Sequence, residues 1–187
     1  MPTILTHPVV PLAIGLGLGT GVVSRRLLLA GAAASILPDF DVVAFKLGIA
    51  YADAFGHRGA SHSLAFALLI GLLALACARG LRATRLTAFV FVALSTLSHA
   101  VLDMFTNGGL GVAMWWPLAS ERLFAPWRVV EVSPIGISRF LTERGLAVLQ
   151  SEFVWVWLPA IVAGVMLAAI RPGRARAQTG SLRSSRH

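Results

Sequence analysis

Two imidazoles, a guanidinium and two hydroxyls fall within seven residues at His57-Arg58-Gly59-Ala60-Ser61-His62-Ser63, directly before a long apolar run. Elsewhere Asp39 and Asp41 flank Phe40, His99 and Asp103 stand four residues apart, and His7 precedes the first apolar segment. Imidazole nitrogens and carboxylate oxygens are the ligands of zinc and of manganese or iron sites. The chemistry within reach is metal-assisted hydrolysis at one or two ions, with water activated by the ion as nucleophile. Each piece also has a plainer reading. His99 and Asp103 share a helix face and could simply hydrogen-bond, while Asp39 and Asp41 could cap a helix end. His57 and His62 can face one centre only if Gly59 breaks the backbone. His7 alone would be a surface histidine, and Arg58 a snorkelling interfacial cation.

The elements that must position these groups are membrane helices. The chain is 57% hydrophobic and 13% charged, with a mean hydropathy of +0.78, where soluble proteins carry about 25% charged residues. Apolar segments cover approximately 8–23, 27–45, 61–78, 86–105 and 153–170, which predicts an all-α, multi-pass transmembrane bundle of about five helices over 1–170. Segment one is short, and Gly15, Gly17, Gly19 and Gly21 form overlapping small-residue pairs suited to close helix approach in lipid. Ser61 is the expected N-cap of segment three. Residues 106–152, with Trp115-Trp116-Pro117 and Phe124-Ala125-Pro126-Trp127, suit an interfacial or re-entrant segment. The tail from 171 to 187 is Arg-, Gly- and Ser-rich and is expected to be disordered and cytoplasmic. Cys77 excludes an internal disulfide and reads as a small buried residue. The N-terminus lacks a basic residue ahead of its apolar run and is expected to be the first helix, not a signal peptide.

Charge sets the expected orientation. Five spans place Arg25, Arg26, Arg79, Arg82, Arg85 and the basic tail on one side, ten cations and no acid. The other side holds six cations against eight acids. The positive-inside rule makes the first side cytoplasmic, with the N-terminus outside and the C-terminus inside. The net charge of +8 then reflects topology and contact with anionic lipid, and no nucleic-acid partner is expected.

Depth unites the candidate ligands. At about 1.5 Å per residue, His7, Asp39, Asp41, His62, His99 and Asp103 all lie about 18 to 25 Å from the cytoplasmic ends of their helices. That is the outer third of a hydrocarbon core about 30 Å thick. Ionisable groups so deep usually mark a functional site. Arg58, Arg122 and Arg128 are candidate clamps for an anionic oxygen such as phosphate, with Trp116 beside them. Asp41 or Asp103 is the candidate proton acceptor.

Thr6-His7, Leu37-Pro38-Asp39-Phe40-Asp41, His57-Arg58-Gly59-Ala60-Ser61-His62-Ser63 and His99-Ala100-Val101-Leu102-Asp103 occur in that order, followed by Trp116-Pro117 and Ser133-Pro134-Ile135-Gly136. Over about residues 5 to 170 this resembles the membrane-bound metal-dependent hydrolases, also described as LexA-regulated, inner-membrane-associated hydrolases. The resemblance implies a multi-pass bacterial inner-membrane protein with a divalent-metal site, its motif histidines and aspartates at His7, Asp39, Asp41, His57, His62, His99 and Asp103; the ligand types point to zinc, with manganese as the other candidate. A more distant likeness to zinc-dependent phospholipase C is analogy. The expected substrate is a lipid or lipid-linked phosphoester at the external face. Two alternatives use the same residues: a transporter or metal/proton conduit, and a non-enzymatic scaffold stapled by metal.

Overall fold

The computed structural model describes residues 1–134 and 140–171, and the helices found there are α1 Val9–Leu18, α2 Arg25–Ala34, α3 Val43–Lys46, α4 Leu64–Ala76, α5 Arg85–Met104, α6 Glu143–Glu152 and α7 Leu158–Ile170. The architecture is all-α. Among the described residues there is no strand, only the isolated bridges Thr106–Val130 and Val112–Leu123. A 3-10 segment at Leu37–Val42 carries α2 into α3, and a π-helical turn at Phe153–Trp157 carries α6 into α7. Arg25–Lys46, α5 and Glu143–Ile170 are each long and apolar enough to cross a membrane, while α1 and α4 are shorter apolar helices. Ile135 and Gly136 of the last motif, Arg139 among the six cations of the external side, and residues 172–187 of the tail lie outside the described residues.

Local chemistry explains where the helices begin and end. Ser24, Ser63 and Thr84 take extended conformations, and each side chain accepts the N–H of the third residue onward, so each fills one of the orphan donors of a helix start. The cap of α4 is therefore Ser63, two residues after the expected Ser61. The reason is that Ser61 lies in the 3-10 turn Ala60–His62 and gives its hydroxyl to Asp41. Helix α1 stops at Leu18 because Gly19 adopts φ +75° and its N–H returns to Gly15 O. The last helix begins at Glu143, ten residues before the expected 153. Polar residues in 143–152 hide it from a hydropathy reading, but Glu152 is wholly buried.

The bundle packs through small residues. A Cβ on Gly17 would stand 2.5 Å from Gly164 O, and one on Gly164 would stand 2.5 Å from Ala13 O, so α1 and α7 meet backbone to backbone. Gly31 on α2 admits the Phe91 ring and Ser95 of α5. Val23, Leu27, Ala74, Ala88 and Val92 fill the core between these helices.

The two ends of the bundle differ in charge. The α1–α2 turn, the α4–α5 turn and the end of α7 come together, tied by Arg26 Nη1 to Gly80 O at 3.0 Å and Arg171 Nη1 to Gly17 O at 3.5 Å. Arg25, Arg26, Arg79, Arg82, Arg85 and Arg171 thus share one end. Cys77 is there too, exposed. This corrects the expectation of a buried cysteine, because the chain leaves α4 at this residue, its C-cap.

Candidate metal centre

The opposite end collects the ligand-type side chains. His7 immediately precedes α1, Asp39 and Asp41 lie in the 3-10 segment after α2, His62 ends the turn before α4, and His99 and Asp103 occupy the final turns of α5. His57 arrives on the loop before α4. Helices running in alternate directions thereby deliver side chains to one layer. His7, Asp39, His57, His62, His99 and Asp103 are all buried.

The hydrogen bonds fix which atoms face the centre. His99 Nδ1 lies 2.7 Å from the Ser35 carbonyl oxygen, which can only accept, so Nδ1 carries the proton and Nε2 presents a lone pair. His62 Nδ1 lies 3.1 Å from Asp41 Oδ2, which likewise directs its Nε2 inward. The two Nε2 atoms stand 3.0 Å apart. Asp39 Oδ1 is 3.4 Å from His99 Nε2, and Asp103 Oδ2 is 3.4 Å from His62 Nε2. His7 Nε2 is 3.7 Å from Asp39 Oδ2 and 3.9 Å from Asp103 Oδ1, with its ring stacked on His99 at 3.6 Å.

These atoms fit a divalent cation. Both nitrogens of His7 and all four carboxylate oxygens of Asp39 and Asp103 are buried without a hydrogen-bond partner. A proton between His62 and His99 would satisfy that contact alone and leave the rest orphaned, at a cost of several kcal/mol in aggregate. Ligand atoms 2.0–2.1 Å from one tetrahedral zinc stand about 3.3 Å from one another, and the contacts above span 3.0 to 3.9 Å. Two triads each bring their ligand atoms within 4.8 Å, His7–His99–Asp103 and Asp39–His57–His62.

Asp41, expected among the ligands, is turned another way. Its oxygens lie 2.5 Å from His57 Nδ1 and 3.1 Å from His62 Nδ1, and they accept from Ser61 Oγ at 2.6 Å and Arg58 N at 3.1 Å. It orients two imidazoles, as carboxylates behind metal-bound histidines do.

Of the three arginines expected as clamps, Arg58 and Arg122 spend their donors on the protein itself. Arg58 is fully buried. Its Nε is 3.0 Å from Asp103 Oδ2, close enough for an ion pair though not aligned as a hydrogen bond, and its Nη atoms donate to Gly108 O, Leu110 O and Thr106 Oγ1. The side chain thus backs Asp103 and holds the 106–110 loop. Arg58 also has φ +62°, so the backbone reverses at the arginine. Gly59, at φ −86° and ψ −131°, is needed for a different reason: a Cβ there would strike Ala54 O. Arg122 donates to the carbonyls of His57, Gly111, Tyr51 and Asp53, and its burial lowers its pKa from the ordinary value. Arg128 is exposed and lies 3.9 Å over the Phe124 ring. Trp116 borders a cleft of about 500 Å³ that reaches Asp41 and Ser61.

Sequence reasoning missed Glu152. Its carboxylate accepts from Thr3 N, from Thr3 Oγ1 at 2.7 Å and from Thr6 Oγ1 at 2.6 Å, while Trp157 Nε1 donates to Thr6 Oγ1 at 2.7 Å. This network pins the segment that carries His7. Its signal in the sequence was one acid directly ahead of the last apolar run, with Thr6 next to His7.

The family model described as YdjM inner membrane protein matches residues 1–176, and the chain belongs to that family. It is 49% identical over 168 residues to the inner membrane protein YbcI of Escherichia coli (strain K12), covering 89% of this chain and 97% of that one. No solved structure matches the chain.

Proposed function

We propose that this inner membrane protein is a metal-dependent hydrolase that cleaves a lipid or lipid-linked phosphoester at the external face of the membrane. The observation that carries the reading is the pair of inward Nε2 lone pairs of His62 and His99, 3.0 Å apart and ringed by the unpartnered oxygens of Asp39 and Asp103. Arg58 meets one of the two carboxylates, and the buried charge of Asp39 together with the facing imidazole nitrogens favours a bound cation. A divalent ion, zinc or manganese, supplies Lewis-acid polarisation of a phosphoryl oxygen and activation of water at neutral pH. His7, Asp39, His62, His99 and Asp103 would hold it, with His57 completing a second triad. Asp41, which lines the cleft and stands 2.5 Å from His57 Nδ1, is the proton acceptor on that side. Arg58 positions Asp103 from behind, and Arg122 holds the His57 loop.

The conduit reading draws less support. A relay needs polar steps across the bundle. The buried hydroxyls next inward on α5, Ser95 and Thr96, donate to their own helix at Phe91 O and Val92 O.

Elemental analysis of purified protein tests the proposal. The wild type is expected to hold one or two equivalents of a transition metal, and His62→Ala and His99→Ala to lose it together with hydrolysis of bis-p-nitrophenyl phosphate. A metal-free wild type that folds normally, or metal retained in both variants, overturns it.

A further inference from the structure

The cleft beside the metal cluster has one polar end, and its other end opens on the apolar flank of the bundle. Asp41 and Ser61 form the polar end, and the walls are supplied by Phe55, Ala65, Phe66, Leu69 and Trp116. Ala65, Phe66 and Leu69 belong to the first two turns of α4. On that helix Leu68, Leu69, Leu72 and Leu73 are all about half exposed, a continuous apolar strip that faces lipid when the bundle is in a membrane. At the cleft's far side Phe55 and Trp116 meet edge to face at 5.7 Å. A water-soluble substrate entering by Leu69 would have to shed its hydration with nothing polar to meet before Asp41. A hydrocarbon chain would not.

We propose that this cleft seats the hydrocarbon chain of the substrate, which enters sideways from the bilayer between α4 and the Phe55–Trp116 pair and so brings its phosphoester to Asp41 and the metal ligands. The inference rests on the hydrolase reading only for what the chain carries; the chain site stands on the shape and lining of the cleft. A chain moving from lipid into an apolar cleft gains little hydrophobic free energy, because lipid tails are as apolar as leucine. The cleft therefore contributes alignment, and the headgroup contributes affinity.

The test is photolabelling of the full chain in vesicles of phosphatidylethanolamine and phosphatidylglycerol, with phosphatidylglycerol carrying a diazirine along one acyl chain as the probe. Adducts are expected to concentrate on the peptides containing Phe55, Phe66 and Trp116, above the level on the exposed face of α7 at Val162 and Met166. Ala65→Trp, which fills the cleft, is expected to lower cleft labelling about tenfold, on the scale of overpacking penalties, with metal content and α7 labelling unchanged. Leu69→Trp blocks the mouth instead and carries the test if Ala65→Trp does not fold. Uniform labelling of the apolar surface, or cleft labelling untouched by both variants, overturns the proposal. Cleft labelling in a protein that hydrolyses no phosphoester supports the chain site while refuting the hydrolase reading. Hydrolysis of bis-p-nitrophenyl phosphate without cleft labelling does the reverse.

Discussion

At the scale of single residues, Arg58 decides whether the site can exist. It is a buried cation whose charge is met by Asp103 and whose other donors hold Thr106, Gly108 and Leu110. Removing one partner of such a pair leaves the other buried and uncompensated, which costs about 3–5 kcal/mol. Arg58→Met is therefore expected to lower thermal stability in detergent by that amount and to weaken metal retention. A variant of unchanged stability that lost only turnover would restore the substrate-clamp reading. Arg58→Lys should rescue poorly, since one ammonium cannot reproduce the planar fork. Asp41 behaves differently. Because it orients His57 and His62 without joining either metal triad, Asp41→Asn is expected to lower metal affinity about 10- to 100-fold without abolishing binding. Complete loss, measured by competition with a chelating dye, would make Asp41 a ligand. Depth counting along the helices was enough to gather His7, Asp39, His62, His99 and Asp103 into one layer, because rise per residue is fixed. It could not show which nitrogen of each ring points inward or where a guanidinium spends its donors. The rings are turned by Ser35 O and by Asp41, and the arginine donors go in part to loop carbonyls at 108–111, positions that no periodicity encodes.

At the scale of elements, the helix Glu143–Ile170 links the site to a segment far away in the chain. Glu152 gathers Thr3 and Thr6, and His7 follows directly. Glu152→Ala removes the acceptor from three donors and leaves the first residues without their anchor. The expected outcome is normal insertion with reduced metal occupancy, measured by elemental analysis, and faster amide exchange confined to residues before α1. Unchanged occupancy would show that α1 alone places His7. The long apolar helices could be read from hydropathy, since nothing but a membrane span tolerates such runs. The α6 stretch could not, because its helix is held by Glu152 burial and by Thr142–Glu152 segment contacts such as Arg144 Nη1 to Glu131 Oε2 at 2.7 Å, not by an apolar stripe. Glu131 itself is held below its ordinary pKa, first by Asn107 and then by Arg144. The Ser61 and Ser63 hydroxyls show the same limit: two serines both suited to cap α4, separated only by Asp41 arriving from another helix.

At the scale of the whole molecule, the chain is polarised between an arginine end and a His/Asp end, and the proposed reaction depends on which end faces out. Arg25, Arg26, Arg79, Arg82, Arg85 and Arg171 lie at the end away from the candidate metal ligands, in the turns α1–α2 and α4–α5 and after α7. Cations in short loops are held on the cytoplasmic side of the inner membrane, so the candidate metal ligands are expected to face outward. Cys77, the single cysteine of the chain, lies exposed at the arginine end and reports the orientation without any substitution. A membrane-impermeant maleimide is expected to leave Cys77 unlabelled in osmotically opened spheroplasts with intact inner membranes. It is expected to label Cys77 fully in inverted vesicles and in detergent. Labelling from outside would invert the protein and place the proposed hydrolytic site over cytoplasmic lipid, leaving its candidate ligands as they are but changing the leaflet from which the proposed substrate comes. Equal labelling from both sides would mean dual insertion, for which the one-sided arginines give no physical basis.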